Sequence, residues 1–474
     1  MAHFQWRRTR VAVLLGMVTA LGACGEDIVY RDAPDYESPP VAAANFLGYS
    51  NEQTKRTVCG NCHVGKQADW QATAHAGAWH SLESSGASQA SCEGCHSVSS
   101  NGNVVAEANV GYVSTKHSRY EDVQCESCHG PGLTHVVNPD LPGNRPFASI
   151  AVSATPTNGC GECHSGTHNP FAEQWAGSRH ANPPGSRGDP TRSCAACHEA
   201  KGALKAWGIN TAFIESTSSE SHAITCAVCH DPHDATNPKQ LRFPVDDPNL
   251  ETNLCMKCHY RRAAPEVTSS AGPHSPQGPL LLGEAGWFPP NFQFPPKSLV
   301  GSHGTDRNPK LCATCHLNRY EINDPATGAF TFRATGHSFQ PIPCVDAQGI
   351  PTGAEECAIT EQSFRACTDG CHLTENAART ALISSRLDIE RLVDDLEAMI
   401  AQIPASEFST TDNRISTAEG SRFNAELAKQ RGSPIHNPFL VRALLIASMD
   451  QIELDYGIAS VRAADPPQPR RAPR

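Results

Sequence analysis

One pentapeptide constrains this chain more than anything else in it. C-x-x-C-H occurs eight times, starting at Cys59, Cys92, Cys125, Cys160, Cys194, Cys226, Cys255 and Cys312. Two thiols three positions apart add to the two vinyl groups of one haem, and the adjacent histidine offers its imidazole to the iron. The attaching thiols are then Cys59 and Cys62, Cys92 and Cys95, Cys125 and Cys128, Cys160 and Cys163, Cys194 and Cys197, Cys226 and Cys229, Cys255 and Cys258, Cys312 and Cys315. The proximal imidazoles are His63, His96, His129, His164, His198, His230, His259 and His316. Zinc ribbons also pair C-x-x-C, but they have no use for a histidine after every second cysteine.

A ninth site is read at Cys367 to His372, where the spacing is C-x-x-x-C-H and Gly370 lets the longer loop bulge. The alternative is that Cys367 and Cys371 form disulfides with Cys344 and Cys357. If haem takes the first pair, Cys344 and Cys357 are left to pair with each other.

The expected cofactor is therefore haem c, about nine copies. Composition agrees, since only 39% of residues are hydrophobic and 6% aromatic, against 36 Pro and 36 Gly. That is thin material for a large core, and the macrocycles would supply apolar volume. A compact chain of this length has a radius of gyration of roughly 22 Å, so nine haems inside it would nearly touch.

The second axial ligand decides whether an iron reacts or only passes electrons. The remaining histidines are His75, His80, His117, His135, His168, His180, His222, His233, His274, His303, His337 and His436, with His3 near the start of the chain. His80 best fits a plain surface residue. The other eleven are candidate distal ligands. Met256 lies inside a motif and cannot reach its own iron, while Met399 and Met449 fall in predicted helices. Most haems are expected to be bis-His, low-spin and of low potential.

The first 23 residues read as a signal segment, with Arg7, Arg8 and Arg10 before an apolar run, ending in a lipobox-like Leu21-Gly22-Ala23-Cys24. A lipid on Cys24 would be the chain's membrane attachment, because no later run has transmembrane length. This places the protein outside the cytoplasm, as a periplasmic or outer-membrane lipoprotein or at the cell surface. A net charge of −11 argues against nucleic acid.

Six segments follow from the pattern. They are the signal (1–23), a linker (24–54), a repeat-like region with haems one to seven (55–265), haems eight and nine with Pro-rich insertions (266–372), a helical region (373–457) and a disordered tail (458–474). The first seven motifs recur every 29 to 35 residues. Trp70 to His75 and Trp175 to His180 both read W-x-x-[S/T]-x-H, each Trp filling core beside a haem. A helix capped by Thr374 is expected from about 375 to 403, and a second from Pro438 with Asn437 as its cap, stopping near Gly457. His436 stands just before that cap. The fold class is mainly α and irregular loops, a multihaem cytochrome c with a stacked haem chain and a C-terminal helical segment.

Over roughly residues 55 to 372 the chain resembles the multihaem cytochromes related to cytochrome c554, hydroxylamine oxidoreductase and the multihaem reductases. Cys125 to Gly132 with His135 is similar to their C-x-x-C-H-G-P-G-x-x-H element. Cys226 to His259, with His230-Asp231-Pro232-His233, resembles a doubled CXXCH motif. The resemblance implies that His135 and His233 are distal ligands to haems bound elsewhere in the chain. The C-x-x-C-K motif that marks the active haem of ammonia-forming nitrite reductases is absent, and no tyrosine matches the cross-link of hydroxylamine oxidoreductase.

The surplus of histidine points to electron transfer between periplasmic donors and an outer-membrane or extracellular acceptor. Partners would be redox proteins, porin–cytochrome components, or other copies docking through the C-terminal helices. The alternative is an oxidoreductase of nitrite, hydroxylamine, tetrathionate or sulfite, with His274, Arg261 and Arg262 flanking an open iron. A third reading is a subunit of a haem filament.

Overall fold

The computed structural model describes residues 42–103, 109–152, 159–189, 192–209 and 212–460. The signal segment, Cys24, the first part of the linker and the tail beyond 460 lie outside the described residues.

Helices here are mostly single turns separated by bends, because motif, turn and proline follow one another too closely for longer ones. Two small antiparallel ladders are present: β1 (Tyr49–Asn51) with β2 (Arg56–Thr57), and the hairpin of β3 (Tyr320–Asn323) with β4 (Phe330–Ala334). Of the longer early helices, α1 (Val64–Gln71) carries Trp70 and α2 (Phe171–Ala176) carries Trp175. Up to residue 372 the apolar side chains gather in small separate clusters. One is Phe46, Trp79, Val98, Val110, Tyr112 and Tyr120; another is Ile150, Ala200, Ala203, Leu204, Phe213 and Val228. Clusters of this size would hold a long irregular chain poorly without the apolar mass of bound haem.

After residue 372 the architecture changes to three packed helices: α3 (Glu375–Ile400), α4 (Thr417–Ala428) and α5 (Pro438–Tyr456). Ile389, Leu392, Val393, Leu396 and Met399 of α3 meet Leu440, Val441, Leu444, Leu445 and Met449 of α5 in the largest core of the molecule. Thr374 caps α3 by accepting from Ala377 N at 3.0 Å. Asn437 caps α5 through Leu440 N (3.1 Å), and its amide donates to Leu280 O (3.1 Å) and Leu299 O (2.8 Å). That residue therefore ties the helical region to the haem region.

The sequence reading did not foresee α4. Its buried face is Ala418, Gly420, Ser421, Asn424, Ala425 and Ala428, with Phe423 and Leu427 the only large apolar members. Small and polar residues carry little periodic signal. The helix is fixed instead by a capping box between Ser416 and Glu419, and by Asn424, which bonds both the N–H and the C=O of Trp287 at 2.8 Å. Among the described residues no helix is long and apolar enough to cross a membrane.

Candidate haem-binding array

Each motif folds as a tight turn that presents its histidine. His63 N–H donates to Cys59 O at 2.9 Å, His164 to Cys160 at 2.9 Å, His198 to Cys194 at 3.0 Å and His259 to Cys255 at 3.1 Å. At the ninth motif His372 N–H reaches Cys367 O at 3.0 Å, so the same closure spans one more residue. Gly370 takes up the slack at φ +77°, a conformation that favours glycine. Cys344 and Cys357 are joined as a disulfide, which leaves Cys367 and Cys371 to the motif.

The imidazoles are oriented by their second nitrogen. Nδ1 lies 2.7 Å from Pro146 O in His129, 2.9 Å from Lys239 O in His230 and 2.9 Å from Phe339 O in His316. Among the proposed distal residues, His303 Nδ1 meets Ile435 O at 2.7 Å and His337 Nδ1 meets Thr335 O at 3.2 Å. An Nδ1–H bonded this way fixes the tautomer that leaves Nε2 free for a metal.

Two imidazoles bound to one iron from opposite faces have ring centres roughly 6 Å apart, about 2 Å of metal–nitrogen bond and about 1 Å of ring on each side. The structure brings eight such pairs together: His63–His135 at 6.4 Å, His75–His164 at 6.2 Å, His129–His233 at 6.0 Å and His180–His259 at 6.2 Å. The others are His198–His274 at 6.0 Å, His230–His337 at 6.3 Å, His303–His372 at 6.4 Å and His316–His436 at 6.3 Å. Each joins one motif histidine to one histidine from outside the motifs. Burial, and then the facing imidazole, push His75 and His180 down to about 4; the same causes push His436 down to about 3, so these rings stay neutral. Among the described residues no three or more His, Cys, Asp or Glu converge as a metal cage. Opposed imidazole pairs beside paired thiols suit haem c and do not suit a closed zinc site.

Among the described residues His117, His168 and His222 do not stand opposite a motif imidazole. His117 is held in a local turn, its Nδ1 accepting from Arg119 N at 3.2 Å. His168 sits in an exposed turn, and His222 is anchored through its backbone N–H to Glu199 at 3.0 Å. His274 faces His198 rather than flanking an open iron beside Arg261 and Arg262. Met256, Met399 and Met449 are fully buried in apolar clusters. His96 is placed by its Nδ1, 3.3 Å from Ala78 O, and no second imidazole stands at the iron spacing from it among the described residues.

Sulfur contacts show which motifs are neighbours, whether as thiols or as the thioethers that haem makes of them. The thiols of Cys59 and Cys125, Cys95 and Cys163, Cys160 and Cys226, Cys197 and Cys258, and Cys255 and Cys312 stand side by side as free sulfurs. Cys128 and Cys160, Cys229 and Cys255, and Cys315 and Cys367 are close enough to influence each other electrostatically. The sequence reading also missed Asp231, whose carboxylate takes the Nδ1 of His233 at 3.2 Å and Arg242 at 2.9 Å. Its place in Asp231-Pro232-His233, directly after a motif, was the available signal.

Repeated C-x-x-C-H turns and opposed imidazoles define a multihaem c-type cytochrome, and the comparisons agree. The family described as cytochrome c554 and c-prime matches residues 58–130, and the doubled CXXCH motif matches residues 221–264. A curated relative, the multiheme cytochrome MtrA of Shewanella baltica (strain OS185), is 26% identical over 203 residues, 38% of this chain and 55% of the relative. The match thus spans about half of that relative's length. No solved structure matches. The chain is a multihaem cytochrome that carries haem c, with electron transfer as the activity this class supports.

Proposed function

We propose that the chain conducts electrons through nine covalently attached haems, bis-His and low in potential, between periplasmic donors and an outer-membrane or extracellular acceptor. The observation that carries this reading is the set of eight imidazole pairs at 6.0 to 6.4 Å, which would fill both axial positions and leave those irons no room for substrate. Bound haem supplies one-electron chemistry, and imidazole rather than methionine on both faces keeps the potential low. The protein's part is to oppose the imidazoles in pairs, fix several of them through Nδ1 and pack successive motifs against each other. The sulfur contacts order the motifs as a trunk running first, third, fourth, sixth, seventh, eighth and ninth. The second branches at the fourth, and the fifth at the seventh.

Attachment through a lipid on Cys24 and partnership with porin–cytochrome components belong to the same proposal. Mass spectrometry of the exported protein, with a potentiometric titration of its haem absorbance, tests it. Nine haems titrating over a broad low range are expected. Fewer haems, or a large high-potential fraction, would contradict it.

A second reading, an oxidoreductase of nitrite, hydroxylamine, tetrathionate or sulfite, rests on His96, which lacks an opposed imidazole. Turnover of one of these with a reduced dye would support it.

A further inference from the structure

The opposed imidazoles obey a rule that runs along the chain. An offset of 101 or 102 residues carries Cys59, Cys92 and Cys125 onto Cys160, Cys194 and Cys226. The contacts repeat with it. Cys59 stands beside Cys125 as Cys160 stands beside Cys226. Trp70 Nε1 donates to Val123 O (3.0 Å) while Val123 N donates to His75 O (3.1 Å). Likewise Trp175 Nε1 donates to Ile224 O (2.8 Å) while Ile224 N donates to His180 O (3.1 Å). Each unit thus has a head motif, a middle motif and a tail motif. In the third unit Cys255 stands beside Cys312, so the eighth motif holds the tail position and the middle one is skipped. The electrostatic contact from each tail to the next head, Cys128 to Cys160 and Cys229 to Cys255, recurs from Cys315 to Cys367 and makes the ninth motif a head.

Ligand supply follows position. The head imidazoles His164, His259 and His372 face His75, His180 and His303, each from the stretch after the head motif of the preceding unit. His63, the head of the first of these units, is served by His135 of its own unit. The tail imidazoles His129, His230 and His316 face His233, His337 and His436, each beyond the last motif of the following unit. The middle imidazole His198 faces His274, which lies in the following unit between its head imidazole His259 and His303. For the other middle imidazole, His96, that position lies between His164 and His180, and it holds a single histidine.

We infer that the chain is a tandem array built on a three-haem plan, two units complete, a third without its middle haem and a fourth reduced to its head, with axial ligands exchanged across the boundaries, and that His168 is the second ligand of the haem held by Cys92, Cys95 and His96. The assignment rests on the proposal that every motif carries haem. Packing sets the motif that precedes His168 against the second motif: Cys95 stands beside Cys163 and donates to Glu162 O at 3.9 Å, as Cys197 stands beside Cys258 one unit later. His168 follows His164 by four residues, in the exposed turn that Asn169 N–H closes on Gly166 O at 3.1 Å.

The test is magnetic circular dichroism and EPR of the haem-loaded wild type and of His168→Ala, with His80→Ala, His117→Ala and His222→Ala beside them. All irons low-spin in the wild type, with one iron per chain turning high-spin and binding carbon monoxide in His168→Ala alone, is the expected result. His168→Met should restore a low-spin iron with a methionine-to-iron charge-transfer band. A high-spin iron already present in the wild type and unmoved by His168→Ala would overturn the assignment, as would its appearance in one of the other three variants instead. If the peptide spanning Cys92 to His96 carries no haem by mass, the nine-haem reading fails along with the assignment.

Discussion

The imidazole of His233 meets a carboxylate where the Nδ1 atoms of His129, His230, His303, His316 and His337 meet backbone carbonyls. A carboxylate makes the ring a stronger donor and favours the ferric state, while Arg242 on the other oxygen of Asp231 weakens that effect. Asp231→Asn should therefore raise the potential of the haem between His129 and His233, and Arg242→Gln should lower it. A potentiometric titration followed by EPR reads both, and shifts of the same sign would contradict the account. Glu126 offers a second test. It lies inside the third motif and accepts from Leu47, Gly48 and Gly132 N–H groups, and burial pushes its carboxyl up to about 7 against the pull of those donors. The folded chain thus keeps a proton that the unfolded chain gives up near 4.5, so this residue's contribution to stability falls as pH rises from there through about 7. The stability gap between wild type and Glu126→Gln should be larger in favour of the wild type at pH 5 than at pH 8. Urea unfolding at the two pH values measures it, and a gap that grows with pH would argue against this placement of the proton.

At the scale of elements, the helical region is joined to the rest through a few buried polar residues. Asn437 caps α5 and binds two carbonyls of the haem region, and it is fully buried. Asn437→Ala should cost about 2 kcal/mol, the upper end for a lost cap, because two carbonyls lose a partner as well. Guanidinium unfolding followed by far-ultraviolet circular dichroism checks this, and a cost near zero would mean the contacts contribute nothing. Replacing Cys344 and Cys357 by serine removes a cross-link between residues 13 apart, which should cost about 3 kcal/mol without changing the haem count. A chain that lost one haem on this change would tie the disulfide to maturation of the ninth site. Local signals made much of this legible beforehand. The nine attachment turns, the Thr374 and Asn437 caps and α3 and α5 all depend on residues within a few positions of each other. What could not be read was the pairing, since His63 meets His135 and His316 meets His436 through the tertiary fold. His117, His168 and His222 looked no different in sequence from the eight that pair. Helix α4 was missed because its buried face is small and polar.

For the whole molecule, the position-dependent supply of ligands means no unit is complete alone. His75 and His180 each belong to one unit and face an imidazole of the next, so folding, haem loading and the electron path are coupled along the chain. The same interlock explains how small separate apolar clusters serve most of the chain up to residue 372, while the conventional core is built mainly by α3, α4 and α5 with Leu280 and Ala285 packed into it. The central claim, a continuous path of haems each closed by two imidazoles, is tested most directly by low-temperature EPR of the oxidised protein, with the integrated low-spin and high-spin signals set against total haem. Nine low-spin irons of bis-imidazole character per chain and no high-spin iron is the result expected; a substantial high-spin fraction, or fewer than eight bis-imidazole irons, would contradict it.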